Sequence, residues 1–259
     1  MDDLIRTNEH IAMNRAFGTG ELNKLLSAAL ERENKFTQKK SFAPSGLGYS
    51  GSCPRRWWYA FNGEDFIYDT TPTAMVNMQQ GADAGERIAK LFEKAGILID
   101  AEFEVLHDDP PIHGYIDAIV NWRGTEVLVE VKTTKNSTWN HRLNSNSVPG
   151  YQLIQLLIYM YVTKHDRGFF YTENKDTNEV FVLPVKMTEE YKQLVEKTLE
   201  WMRVVKDNAD NGELPKRPFT RSSMQCKGCE VKNKCWENWE KKNDPNPGTV
   251  DLPALELPK

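Results

Sequence analysis

Apolar residues recur along this chain with two different periods, and the switches between them mark out its elements. From 114 to 134 the sequence GYIDAIVNWRGTEVLVEVKTT alternates with period two, as side chains on a strand do. Val127, Val129 and Val131 share one face, and Leu128, Glu130 and Lys132 share the other. In the run before them, Tyr115, Asp117 and Ile119 lie opposite Ile116, Ala118 and Val120. Gly124 supplies the positive φ of a tight hairpin between the two runs. A hairpin centred on Arg123 and Gly124 sets Asp117 directly across from Glu130, with Cβ atoms about 4.5–5.5 Å apart.

Elsewhere the period is that of a helix. Residues 1–40 read as helical, with a leucine and alanine stripe through ELNKLLSAALEREN. SFAPSGLGYSGS, at 41–52, reads as a loop. Pro54 and Gly63 bracket a short helix, and 73–95 carries an amphipathic one closed by Gly96. Strands are expected near 102–106, 114–121, 126–133, 168–173 and 179–185, with helices over about 149–163 and 188–208. The Pro-rich tail 241–259 is expected to be disordered. This order predicts an α/β fold in which a sheet is flanked by helices. It divides into an N-terminal helical segment and loop (1–52), a main domain (53–240) and the tail.

Bulk properties narrow the setting. The chain has 259 residues, 39% hydrophobic and 27% charged, with a net charge of −4. That balance argues against a general nucleic-acid coat but leaves room for a local basic groove. The acidic start MDDLIRTNEH lacks an apolar signal core, and no run approaches the length of a membrane span. The expectation is a cytoplasmic protein without membrane contact, whose cysteines hold metal or do chemistry rather than form disulfides.

Glu-x-Lys on a strand commonly marks only the solvent face of an antiparallel sheet. Two opposed carboxylates change the picture. At an effective dielectric near 20 they repel by about 3 kcal/mol, and a divalent cation between them reverses the sign. Two carboxylate oxygens suit Mg²⁺ or Mn²⁺, and Lys132 is near enough to reach a bound phosphate. The apolar helix YQLIQLLIYMYV adds a polar line of Gln152, Gln155 and Tyr159. These side chains either satisfy loop backbone or face the carboxylates.

All four cysteines belong to one pattern: Cys53 far upstream, then Cys226-x2-Cys229-x5-Cys235. Structural zinc sites usually pair two short hooks. A one-plus-three partition is better suited to an iron–sulfur cluster, with Zn²⁺ as the alternative. Arg55, Arg56, Trp57, Trp58 and Tyr59 gather beside Cys53. The tryptophans read as core; the arginines are candidate contacts to DNA phosphate. Lys135, His141, Arg142 and Lys164 are weaker candidates for a basic rim.

Cys53-PRR, a central G-x-x-D, E-V-K, Q-x-x-x-Y and C-x2-C-x5-C, in that order, resemble the iron–sulfur RecB-like nucleases of the PD-(D/E)xK superfamily. That group includes CRISPR-associated RecB-like, AddB-like and phage recombination exonucleases. The resemblance implies a restriction-endonuclease-like mixed sheet whose N- and C-terminal segments are joined by the cysteine cluster. It makes Asp117, Glu130 and the Val131 carbonyl metal ligands, Lys132 the catalytic lysine, and Gln155 and Tyr159 the Q-x-x-x-Y pair. The four cysteines would hold a 4Fe–4S cluster. Where family members often carry a metal-binding histidine, four residues after a glycine, this chain has Gly85 after Gly81, with Glu86 next. The resemblance makes Glu86 a substitute ligand, the alternatives being a solvated helix residue and a site with fewer protein ligands. The activity implied is a metal-dependent DNA exonuclease working from single-stranded or frayed ends in recombination, repair or phage DNA metabolism, with recombination or replication proteins as partners. The alternatives are a non-catalytic DNA-binding or docking module on the same fold, or a structure-specific endonuclease.

Overall fold

A computed structural model describes residues 19–31, 38–66, 72–237 and 248–258. Three helices come first: α1 (Thr19–Glu31), α2 (Pro54–Phe61) and α3 (Pro72–Lys94). The strands β1 (Leu98–His107), β2 (Ile112–Trp122) and β3 (Thr125–Thr134) follow. Then come α4 (Asn136–Ser145), α5 (Gly150–Val162), β4 (Arg167–Asn174), β5 (Val180–Lys186) and α6 (Glu189–Asp210). Two single turns, α7 (Met224–Lys227) and α8 (Lys232–Cys235), carry Cys226 and Cys235, with Cys229 between them.

The strands form one sheet in chain order. Neighbours are antiparallel except β3 and β4, which run parallel and are joined through α4 and α5. The hairpin register is the predicted one, with Ala118 facing Val129 and Val120 facing Val127. Arg123 and Gly124 both take positive φ at its tip, as a tight right-twisting turn requires.

Two cores explain why β3 is apolar on both faces. On one side Val127, Val129 and Val131 pack with Ala118, Val120 and Ile88 of α3. On the other, Leu128 joins Ile119, Phe170 and the buried residues of α5 and α6. The two-residue alternation breaks on β2: Ile116 and Ile119, three apart, both enter the larger core. Regular alternation would separate them. Asp117 lies at the break, and its carboxylate turns toward β3.

Two expectations need correction. The helical reading for 1–40 is met over α1 but not at 38–40, while 1–18 and 32–37 lie outside the described residues. The sequence assigns no element to the span of α4, because NSTWNHRLNS shows no apolar period. Only Trp139 and Arg142 of that helix are buried, so tertiary packing rather than amphipathicity holds it. The tail is not disordered over its described part. The Leu255 amide donates to the Ser52 carbonyl at 2.8 Å, and the Trp201 indole donates to the Pro253 carbonyl at 3.0 Å. Residues 248–258 therefore strap α6 to the segment ahead of Cys53.

Arg55 and Arg56, expected to meet DNA, are also turned inward. Arg55 is 1% exposed and donates to the Pro215 carbonyl at 2.8 Å. Arg56 holds Glu230 through Nε and Nη2, both at 2.8 Å, and lies over the Trp57 ring. A fork of this kind uses the guanidinium's planar donors fully, so both arginines join the two ends of the chain instead of presenting charge to solvent. Burial works to raise the Glu230 pKa, but the Arg56 bonds outweigh it and hold that pKa below the ordinary value.

Removing one partner of a buried pair strands the other, at about 3–5 kcal/mol. Glu230→Ala is expected to lower the melting temperature clearly at pH 7. Because Glu230 titrates below its unfolded value, this stabilisation is present above the unfolded pKa and disappears as pH falls through the folded one. The gap between wild type and variant, measured by thermal melts, should therefore close in acid.

Candidate active site

At the break in β2, Asp117 Oδ2 accepts the Val131 amide at 2.6 Å. The side chain thus takes a place that a backbone carbonyl would hold in a regular ladder, and the paired register stops one residue short, at Ala118 and Val129. Across from it Glu130 is 1% exposed. Glu130 Oε1 accepts from Gln155 Nε2 at 2.7 Å and from the Lys132 ammonium. Its Oε2 is buried with no hydrogen-bond partner.

The electrostatics follow from that enclosure. Desolvation pushes the Glu130 carboxyl up to about 7 against the pull of Lys132, with Asp117 adding to the rise. Asp117 is raised as well, by burial, with Lys132 and the Val131 amide opposing. Lys132 runs the other way. Burial favours its neutral form, but Glu130 and Asp117 together outweigh this and hold its pKa above the ordinary value.

Tyr159, one turn along α5 from Gln155, reaches β2. A Cβ at Gly114 would stand 2.3 Å from its hydroxyl, so glycine is required for this approach. The Tyr115 amide and the Gln155 side chain bond the phenol, and burial beside Glu130 and Asp117 keeps it protonated. Of the polar line on α5, Gln155 and Tyr159 thus meet the carboxylates. Gln152 is buried with its Oε1 unpartnered.

Asp117, Glu130, Lys132, Gln155 and Tyr159 come together, and Val131 joins them through its amide. The matching family model covers residues 77–236 and describes the PD-(D/E)XK nuclease superfamily. The chain belongs to that superfamily. No relative is found among curated proteins. Among solved structures, the fold is similar to an alkaline exonuclease (LHK-Exo) from Laribacter hongkongensis. The two share 12% identity at a TM-score of 0.52, over 73% of this chain and 95% of that one. The same exonuclease in complex with dAMP aligns at 13% identity and a TM-score of 0.49, over 66% and 90%. SSO0001 aligns at 16% and 0.46, over 83% and 95%. At these identities the likeness is one of fold.

Within this nuclease fold, not every candidate reaches the carboxylates. Glu86 is exposed on α3 and pairs with Lys90 at 2.5 Å, because α3 covers the valine face of β3 and not the Glu130 face. Lys164 follows the far end of α5 from Gln152. A carboxylate the sequence reading passed over, Glu102, takes a left-handed φ of 51° on β1. It falls between the pairs Ala101–Ala118 and Phe103–Ile116, which sets it across from Asp117. Partial burial and then the Asp117 charge raise its pKa. Extending the hairpin register to β1 would have found it.

The cysteines are neighbours despite their separation in sequence. Cys53 lies within electrostatic reach of Cys226 and Cys235, and Cys229 within reach of Cys53. Burial pushes Cys53 up to about 11 and Cys229 to about 12, so without a bound cation both are thiols. Among the described residues, no three Cys, His, Asp or Glu side chains converge to a metal-binding geometry.

A carboxyl raised on folding contributes stability below its unfolded pKa and loses it as pH rises through the folded value. With EDTA present, the wild type is expected to lose stability between about pH 4.5 and 7.5, by about 3 kcal/mol for a shift of this size. Glu130→Gln should remove most of that loss. Its melting temperature should exceed that of wild type at pH 8, with the difference gone by pH 4.

Proposed function

We propose that the protein is a metal-dependent deoxyribonuclease that removes nucleotides from single-stranded or frayed DNA ends, in recombination, repair or phage DNA metabolism. Glu130 carries this reading. A carboxylate oxygen with no partner inside a protein is costly, and here it lies beside a second carboxylate. A hard divalent cation satisfies both. Asp117, Glu130 and the Val131 carbonyl would hold one or two Mg²⁺ or Mn²⁺ ions. Such a cation, when bound, supplies charge that polarises the scissile phosphate and lowers the pKa of the attacking water.

The side chains divide the remaining work. Lys132 is held as an ammonium by the two carboxylates, so it neutralises charge gathering on the phosphate oxygens rather than removing a proton. Gln155 fixes the Glu130 carboxylate through its amide. Tyr159 pins α5 to β2 and with it the spacing of Asp117 from Glu130. The water oxygen bonds to phosphorus, the bond from phosphorus to the leaving oxygen breaks, and that oxygen takes a proton. The products are a released nucleotide and a shortened strand.

Asp117→Ala, Glu130→Ala and Lys132→Ala are each expected to cut Mg²⁺-dependent cleavage of end-labelled linear DNA by at least about a hundredfold, while DNA binding in EDTA survives. Circular single strands should resist the wild-type enzyme. Cleavage that persists in EDTA would remove the metal from the mechanism, and cleavage of circles would make the protein an endonuclease.

For the cysteines, the donor set is four thiols from the two ends of the chain, of which burial keeps Cys53 and Cys229 protonated until a cation binds. That chemistry fits a structural 4Fe–4S cluster, with Zn²⁺ as the alternative. Protein purified without oxygen should be brown and contain iron and acid-labile sulfide. Cys53→Ser should release the metal as fully as Cys229→Ser does. A colourless protein with one tightly held zinc would replace the cluster and leave the nuclease site standing.

A further inference from the structure

The geometry points to a subsite beside Lys132 for one nucleotide of a single strand, in which Arg142 takes a phosphate and Tyr49 with Tyr151 takes the base. This rests on the nuclease reading and deepens it. Arg142, on α4, is 6% exposed, yet its Nε and Nη1 have no hydrogen-bond partner. It makes no ion pair among the described residues. A guanidinium cannot shed its charge to escape such a place.

The protein's other buried arginines show what a structural role looks like here. Arg55 has a backbone carbonyl and Arg56 has a carboxylate. Arg142 has neither, and its charge and unpartnered donors suit an anion such as a phosphate. Its position agrees. The Tyr151 phenol is within electrostatic reach of both Arg142 and Lys132, so it lies near both cations.

Tyr151 also forms half of an aromatic pair. Its ring centroid is 5.6 Å from that of Tyr49, tilted by 46°. Gly48 lets the rings meet, since a Cβ there would stand 2.9 Å from the Tyr151 ring. Tyr49 is 56% exposed and held at a φ of 44°. A left-handed backbone is uncommon for such a residue, and here it presents an aromatic face to solvent beside Tyr151. Aromatic faces that flank cations bind unpaired bases with little regard to sequence. In a duplex those faces are already stacked, so the subsite selects single strands.

Binding of a fluorescent oligothymidylate of about 12 nucleotides to the full chain, in EDTA and over a salt series, tests this. Arg142→Gln is expected to weaken binding about tenfold and to reduce the salt slope by about 0.7, one phosphate contact on a single strand. Arg142→Lys should restore the slope. Removing an unpaired buried charge should also leave the melting temperature of Arg142→Gln equal or higher. Tyr49→Ala should weaken single-strand binding about tenfold with an unchanged slope, and leave blunt duplex binding alone. An unchanged affinity and slope in Arg142→Gln, or a lower melting temperature with an unchanged slope, would assign Arg142 to packing and overturn the phosphate contact. Unchanged single-strand affinity in Tyr49→Ala would overturn the base platform. If the wild type cleaves DNA and these variants are indistinguishable from it, only the subsite falls. A wild type that neither binds nor cleaves DNA removes the nuclease reading and the subsite with it.

Discussion

Two carboxylates held inside the protein on neighbouring strands, with a single ammonium between them, set the terms for everything around them. At an effective dielectric near 20, charges about 5 Å apart repel by about 3 kcal/mol, and desolvation adds to that. Lys132 offsets part of this through Glu130 Oε1, and the Val131 amide offsets part through Asp117 Oδ2. What remains appears as a Glu130 carboxyl raised to about 7 and an oxygen without a partner. A protein can hold such a pair only where the surrounding scaffold is over-determined.

That scaffold is the double core. Valines on one face of β3 fasten it to α3, and Leu128 on the other fastens it to α5. A strand packed on both sides cannot slide or turn to bring Glu130 to water, because a slip of one residue would exchange the two faces. Helix α5 in turn cannot rotate without burying Gln155 against leucine. The amide, the carboxylate and the ammonium therefore stay in line, and the site is set before any substrate arrives.

The ends of the chain solve a separate problem. Cys53, Arg56 and Ser52 come from the N-terminal part, and Cys226, Cys229, Glu230 and Leu255 from the C-terminal part. An ion pair and a backbone bond hold these ends together and bring Cys53 within electrostatic reach of Cys226 and Cys235. The turn Tyr49–Ser52 precedes Cys53 directly, so whatever fastens the cysteines also fastens Tyr49. The closure of the chain ends and the position of Tyr49 are thereby linked through a few residues of backbone.

By itself, the sequence determined the hairpin register from Ala118 and Val129 to the turn, and the placement of Gln155 and Tyr159 on a buried helix. Each follows from a local period of two or 3.6 residues and a turn that one glycine dictates. The break at Asp117 it did not show. The family was legible through the order of those same motifs. Tertiary structure alone decided the rest. Arg55 and Arg56 look like surface cations in sequence, yet they turn inward because a carbonyl and a carboxylate 160 and 174 residues away meet them. Glu86 shares the chemistry of a ligand but sits on the helix that covers the wrong face of β3. Helix α4, Arg142 within it and the aromatic pair beside it carry no periodic signal, since few of their side chains face the core. Periodicity reports which way a residue points within its own element; which partner it meets depends on how distant elements pack.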